Sequence, residues 1–328
     1  MTEIRVNGLR GVELAVFNLK ETADFYAEAW GLSEVASANG TAYMRAAGNE
    51  HHVLSLHEAP RAGLVAINFS APSRIAVDGL HAKAKAMGCE IVSAPQELPA
   101  IAGGGYGFSV KTPEGQTLNI SADVVQHGAG QFHDHSRPMK MSHAVLNVAD
   151  IDKQRAFFID VLGFRLTDST ARMDFVRCSS DHHSIALARG HGAGLNHMAY
   201  EVPNFDGLMR GAGRMKQQGF NVEWGVGRHG PGDNIFSYFI EPNGFVTEYT
   251  AEVEQIDEIR ISAEVTVQRD RIGLHFSHAV NRWRGRHGQH VDPFPDGLCR
   301  AGISGKLIHA AKGINSAHAH AGLDDFAH

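Results

Sequence analysis

Gly227-Arg-His-Gly-Pro-Gly-Asp-Asn-Ile-Phe-Ser-Tyr-Phe-Ile-Glu-Pro-Asn-Gly-Phe-Val-Thr-Glu-Tyr249 reads as a glycine-rich loop, a strand, a tight turn at Pro242-Asn243-Gly244 and a second strand. Asn-Gly between two apolar runs is a strong local signal for a β-hairpin. Inside the second strand sits a lone carboxylate, Glu248. Alternation along a strand puts Phe245, Thr247 and Tyr249 on one face and Val246, Glu248 and Thr250 on the other. Glu248 must therefore meet solvent, a cation or a metal, and the rest of the chain supplies partners for the third option.

Working outward, the chain is doubled. Gly11-Val-Glu-Leu-Ala-Val-Phe-Asn-Leu19 followed by Ala23-Asp-Phe-Tyr-Ala-Glu-Ala-Trp-Gly31 returns as His143-Ala-Val-Leu-Asn-Val-Ala-Asp-Ile151 followed by Arg155-Ala-Phe-Phe-Ile-Asp-Val-Leu-Gly163. Each copy reads strand, polar turn, amphipathic helix, glycine stop. Ala66-Ile-Asn-Phe-Ser-Ala-Pro72, with its helix to Gly88, returns as His197-Met-Ala-Tyr-Glu-Val-Pro203 with a helix to Gly219, and Thr112 to Asn119 returns as Glu241 to Glu248. The offsets, 132, 131 and 129 residues, are too constant for chance and describe one duplicated domain. Within each copy a strand–helix unit and its following strands occur twice. The expected fold is thus α+β, two tandem domains each of paired βαβββ modules forming an open, barrel-like sheet. The expected boundaries are 1–128 for the first domain, 129–140 for a polar linker, 141–256 for the second domain and 257–328 for an atypical tail.

The two copies differ where chemistry would lie. Where the second has His143, His197 and Glu248, the first has Gly11, Ala66 and Asn119. A lone strand histidine is usually a satisfied core or surface residue. Three ligand-type residues at equivalent places, each replaced in the sister copy, point instead to a metal. Two imidazoles and one carboxylate form the facial triad that suits non-haem Fe(II) and leaves positions open for reactants.

These residues carry a resemblance. The region from about residue 8 to 256 resembles type I extradiol ring-cleavage dioxygenases of the vicinal oxygen chelate superfamily, the catechol 2,3-dioxygenase-like group. The signature of that group is matched by His229, Tyr238, Glu241, Pro242, Gly244 and Glu248, with Ser237 departing from the aliphatic or Phe residue usual before the tyrosine. The resemblance implies metal binding by His143, His197 and Glu248, with Fe(II) as cofactor and Mn(II) as the alternative. It implies an acid–base histidine at His183, which Ile185-Ala186-Leu187 then follows as the next strand, or at the neighbouring His182. His229 and Tyr238 would hydrogen-bond the substrate oxygens. The implied reaction inserts O2 beside the diol of a catechol-type or trihydroxylated aromatic, and a homo-oligomer is expected. Two other readings use the same scaffold: a glyoxalase-like metal-dependent isomerase or lyase, and a ligand-binding protein without catalysis. Arg260 to His328 does not resemble the aromatic, proline-containing segment that closes the site in the group.

Composition agrees with such a chain. At 328 residues it can bury a core in each of two domains, and a formal charge of −6 with mixed signs offers no basic face for nucleic acid or anionic membrane. The sequence reads without an apolar leader or membrane-length run, and three scattered cysteines, odd in number, argue against a disulfide framework, so a reduced, cytoplasmic setting is expected. From Arg260 onward both periodicities are lost and arginine, glycine and histidine rise. Val265 and Ile272–Phe276 are strand candidates and Ser304–Lys312 a helix candidate, in what reads as a loosely packed tail.

Overall fold

The computed structural model describes residues 3–128, 135–190 and 192–257. Half of the expected linker, residues 129–134, and all but the first residue of the expected tail lie outside them, as do the strand and helix candidates after Arg260. The first half contains β1 (Gly8–Val16), β2 (Ser33–Ala38), β3 (Thr41–Arg45), β4 (Leu54–Glu58), β5 (Gly63–Ser70), β6 (Ile91–Glu97), β7 (Tyr106–Lys111) and β8 (Thr117–Ala122). The second contains β9 (Lys140–Val148), β10 (Arg165–Ser169), β11 (Met173–Arg177), β12 (Ile185–Arg189), β13 (Gly194–Glu201), β14 (Trp224–Arg228), β15 (Ile235–Ile240) and β16 (Val246–Ala251). Four α-helices follow the first strand of each module: α1 (Leu19–Asp24), α2 (Arg74–Ala86), α3 (Ile151–Ala156) and α4 (Phe205–Gln217). α1 and α3 run on into π-helical turns.

Each half forms an open eight-stranded sheet, β2-β3-β4-β1-β5-β8-β7-β6 and β10-β11-β12-β9-β13-β16-β15-β14. The paired βαβββ modules are therefore present twice over, and neither sheet closes into a barrel. The reason lies in the pairing: the first strands of the two modules meet antiparallel at the centre, β1 on β5 and β9 on β13, while the last strand of each module pairs parallel with a first strand. The helices start on side-chain caps, Asn18, Ser73, Asp150 and Asn204, each accepting a bond from a first-turn N–H that would otherwise lack a partner. Among the described residues no helix is long and apolar enough to cross a membrane.

One continuous apolar core runs through both halves. At its centre Trp30 stacks on Tyr249, ring centroids 3.8 Å apart and planes 6° from parallel, while the Tyr249 hydroxyl donates to the Trp30 carbonyl at 2.6 Å. The Arg214 guanidinium on α4 donates to the carbonyls of Ala29 and Trp30. Two turns exchange contacts reciprocally. Asn243, in the β15–β16 turn, accepts from the Phe17 amide and donates to Thr22 Oγ1. Glu114, in the β7–β8 turn, accepts from the amides of Ala149 and Asp150. The duplicated sequence thus docks on itself through matching parts.

Trp30 is fully buried, and truncating it removes the largest side chain between the halves. We predict that Trp30→Ala lowers unfolding free energy by about 3–5 kcal/mol and splits urea unfolding into two transitions. An unchanged single transition would show that the halves are held by something else.

Candidate metal centre

The register of three neighbouring strands assembles the centre. Ala199 on β13 is paired with His143 on β9 and with Glu248 on β16. Residues paired across a sheet share a face, and so do residues two apart along a strand. His143, Glu248 and His197, two positions before Ala199, therefore project from one face, with the small Ala199 leaving space among them. The row continues outward, because Glu248 pairs with Tyr238 on β15 and Tyr238 with Trp224 on β14.

The three side chains converge. One donor atom from each of His143, His197 and Glu248 lies within 4.8 Å of the other two, and all three residues are buried. Glu248 Oε2 is 3.3 Å from His143 Nε2 and 3.2 Å from His197 Nε2. Neighbouring ligands at right angles around an ion with bonds of about 2.0–2.2 Å stand about 3 Å apart. The other ring nitrogens are held from behind. His197 Nδ1 lies 2.7 Å from Asn196 Oδ1, and Asn196 is itself fixed by donating to Asn147; His143 Nδ1 lies 3.2 Å from Ser142 Oγ. With Nδ1–H donating outward, each Nε2 turns its lone pair to the centre.

A metal fits these residues on one observation above all. Glu248 is fully buried, yet its Oε2 accepts no hydrogen bond. A buried carboxylate oxygen facing two nitrogen lone pairs is costly unless a cation lies between them. Burial by itself would raise the Glu248 carboxyl, but the imidazoles of His143 and His197 outweigh it and hold the group well below the usual carboxylate range. Burial pushes His197 down, against the pull of Glu248. The Glu248 shift is the pull of protons on the two imidazoles, whose place a cation between the three groups would take, and the His197 shift favours the neutral ring that coordinates it. The set can hold a divalent ion.

Around the triad the remaining expected residues fall close. The His183 ring lies 4.3 Å from that of His143, while His182 turns away from the triad, its Nε2 3.8 Å from Asp168 Oδ2. The two are joined through Nδ1 atoms 3.0 Å apart. Of the pair, His183 is the one beside the centre. Burial lowers it well below the ordinary imidazole value, reinforced by His143, His182, His229 and His197, so it stands neutral and able to accept a proton. Burial also lowers His182, to about 4. Tyr238 packs edge-on to His197, ring centroids 5.1 Å apart, and its hydroxyl is 3.0 Å from His229 Nε2. Burial and then Glu248 push its phenol well above the usual value, which keeps it a donor. Gly232 takes φ +80°, and a Cβ there would come within 3.3 Å of both His182 and His183.

Some of the supporting residues escape a reading of motifs. Asn234, fully buried, donates to Thr250 at 2.8 Å and lies 3.5 Å from Glu248 Oε1. Ser142 and Asn196 each precede a triad histidine, where adjacency in sequence was the available signal. A further signal stood in the repeat: Glu50-His51-His52 matches Asp181-His182-His183 at an offset of 131 residues. In the structure both histidine pairs have Nδ1 atoms 3.0 Å apart and rings near perpendicular.

Residues 8–120 and 140–249 match the Glyoxalase/Bleomycin resistance protein/Dioxygenase superfamily. The chain belongs to this superfamily. Within the superfamily it is 41% identical to a Mn(II)-bound glyoxalase from Novosphingobium aromaticivorans, covering 77% of this chain and 84% of that one at a TM-score of 0.74. It is 34% identical over 122 residues to metapyrocatechase 2 of Cupriavidus necator, covering 36% of this chain and 38% of that protein. It is 31% identical over 144 residues to an iron-dependent extradiol dioxygenase of Rhodococcus jostii, covering 38% and 48% respectively. The match thus spans less than half the length of these two curated relatives.

We predict that Glu248→Gln, which keeps the shape and removes the charge, lowers bound divalent metal about tenfold or more by elemental analysis, with the folded circular dichroism spectrum retained. Metal should also leave the wild type as pH falls, since the imidazoles must be neutral to coordinate. With His197 depressed by burial, the neutral form persists below the ordinary imidazole range, so loss should begin on the acid side of about pH 6.5. Full metal content at pH 4 would contradict this.

Proposed function

We propose that the protein is an extradiol dioxygenase that opens catechol-type or trihydroxylated aromatic rings next to the vicinal diol, with His143, His197 and Glu248 as ligands to Fe(II) and Mn(II) as the alternative metal. One observation carries the reading: a buried three-ligand set with no fourth protein ligand beside it among the described residues, flanked by a neutral imidazole and a phenol donor. A three-ligand centre leaves room for two reactants at once. The names of the metapyrocatechase and iron-dependent relatives support the same class.

The metal, when bound, supplies Lewis acidity toward the diol and redox access to dioxygen. The chain does the rest. His183 takes a proton from the reacting diol and later returns one, a role open to an imidazole that is neutral in the resting protein. The Tyr238 hydroxyl, linked to His229, donates to a substrate oxygen and stabilises charge developing there. Trp224, stacked on Tyr238 at 5.1 Å between ring centroids, limits how far that phenol can swing. Burial of the triad and of His183 keeps bulk water from competing for the same positions. The same reading includes a cytoplasmic setting, in keeping with Cys89 and Cys178 as free thiols, and a symmetric homo-oligomer without nucleic-acid or membrane partners.

A second reading is favoured by the 41% identity to the Mn(II)-bound glyoxalase. A glyoxalase-type isomerisation consumes no oxygen, so an electrode separates the two. Oxygen uptake with catechol or 1,2,3-trihydroxybenzene in the presence of Fe(II) is the expected result; no uptake with any ring-hydroxylated compound, together with isomerase activity, would establish the second reading. We further predict that His183→Phe keeps its metal and loses about 10²–10⁴-fold in turnover, while His182→Phe loses much less. Undiminished turnover in His183→Phe would remove it from the acid–base role.

A further inference from the structure

The first domain has a cleft at the place corresponding to the metal centre, and its residues are not simply those of a site that decayed. In register, Gly11, Asn68, Asn119 and Ser109 form the row equivalent to His143, Ala199, Glu248 and Tyr238. A Cβ at Gly11 would lie 2.1 Å from the Val53 carbonyl oxygen, so the backbone leaves no room for a ligand side chain there. Yet the paired histidines His51 and His52 persist, as described above.

Elsewhere the floor has been rebuilt in polar residues. The second domain places Val145, Phe175, Ala186 and Ala188 together in a small buried apolar cluster beside the triad. The equivalent positions in the first domain, by strand register, are Glu13, Tyr43, Ser55 and His57. Of these, Glu13 and His57 are tied into a network. Glu13 Oε2 is 3.0 Å from His57 Nε2, Asn119 donates to Glu13 and to Asn68 at 2.9 Å, and Ser109 donates to Asn119 at 2.7 Å. The network lines a cavity of about 270 Å³ whose lining also includes the apolar side chains of Leu98, Pro99 and Val124. Burial raises the Glu13 carboxyl, but His57 and Asn68 outweigh it, so an ionised acceptor faces the space. Arg10 beside it is matched by Glu50.

We propose that this cavity is a second, metal-independent binding site for a small neutral ring carrying adjacent hydroxyl groups, its hydroxyls donating to Glu13 and exchanging bonds with Asn68, Asn119 and Ser109 while its ring rests on the apolar wall. The charge balance favours a neutral ligand, and the size fits one ring. An aromatic polyol and an alicyclic one share this chemistry. The proposal stands apart from ring cleavage, because it requires neither metal nor turnover.

The test is an anaerobic calorimetric titration of the full chain with 1,2,3-trihydroxybenzene and, in parallel, with myo-inositol. One binding site should survive in His197→Ala, which breaks the metal centre, and weaken in Ser109→Phe by about tenfold or more, the fold-change for roughly 1.4 kcal/mol. Oxygen uptake by Ser109→Phe should be unchanged. Crystals of the unmodified chain soaked in 4-bromocatechol give a readout that does not depend on any variant folding. Anomalous bromine density beside Asn119 is expected. Binding of neither probe to His197→Ala, or bromine density confined to the second domain, would overturn the proposal. Failure of oxygen uptake alone would bear on the ring-cleavage reading and leave this one standing.

Discussion

A carboxylate at the bottom of a sheet, stripped of water and facing two imidazoles, is the constraint to which the second domain is built. Glu248 can occupy that place only because β9, β13 and β16 lie side by side in a register that brings its oxygen within about 3 Å of both nitrogens. A slip of one residue in either pairing would turn a ligand to the opposite face. The parallel pairing of β13 with β16 is internal to one βαβββ module, and the antiparallel pairing of β9 with β13 joins the two modules, so the chain topology itself delivers the ligands. Residues behind the histidines, Asn196 and Ser142, then set which nitrogen looks inward.

The duplication lets one frame carry two kinds of interior. Both halves keep the strand order, the capped helices and the perpendicular histidine pair. They part at a few concave positions: an ion-sized gap lined by nitrogen and oxygen in one, and a floor of hydrogen-bonding residues in the other. Gly11 makes the division firm, since the Val53 carbonyl occupies the space a side chain would need. The frame therefore tolerates exchange of chemistry without exchange of fold, which is why fold alone does not decide activity.

Much of this was legible in the amino-acid order. Periodic segments at a constant offset disclosed the doubling, because strand and helix periods repeat whenever the same layers are buried. The triad was legible because His143, His197 and Glu248 break the apolar pattern at places where the sister copy has Gly11, Ala66 and Asn119. The choice between His182 and His183 was not, since neighbours in sequence point to different sides, and only the turn before β12 decides which ring meets His143. Glu13 and His57 were also hidden: they look like ordinary polar residues until pairing with Asn119 and Asn68 puts them in one space. Asn234 belongs to the same class, its role set by a side-chain contact with Glu248, fourteen residues away on β16.

The stack of Trp30 on Tyr249 has a consequence for how this architecture can be divided. Tyr249 is the residue after Glu248, so the strand that presents the carboxylate inward presents its aromatic ring outward, to the other half of the chain. Excising the second half as a minimal enzyme would strand that ring, along with Phe239 and Tyr200, on a bare flank that invites aggregation. The half without the triad is thus an intramolecular scaffold, and neither copy is free to be discarded.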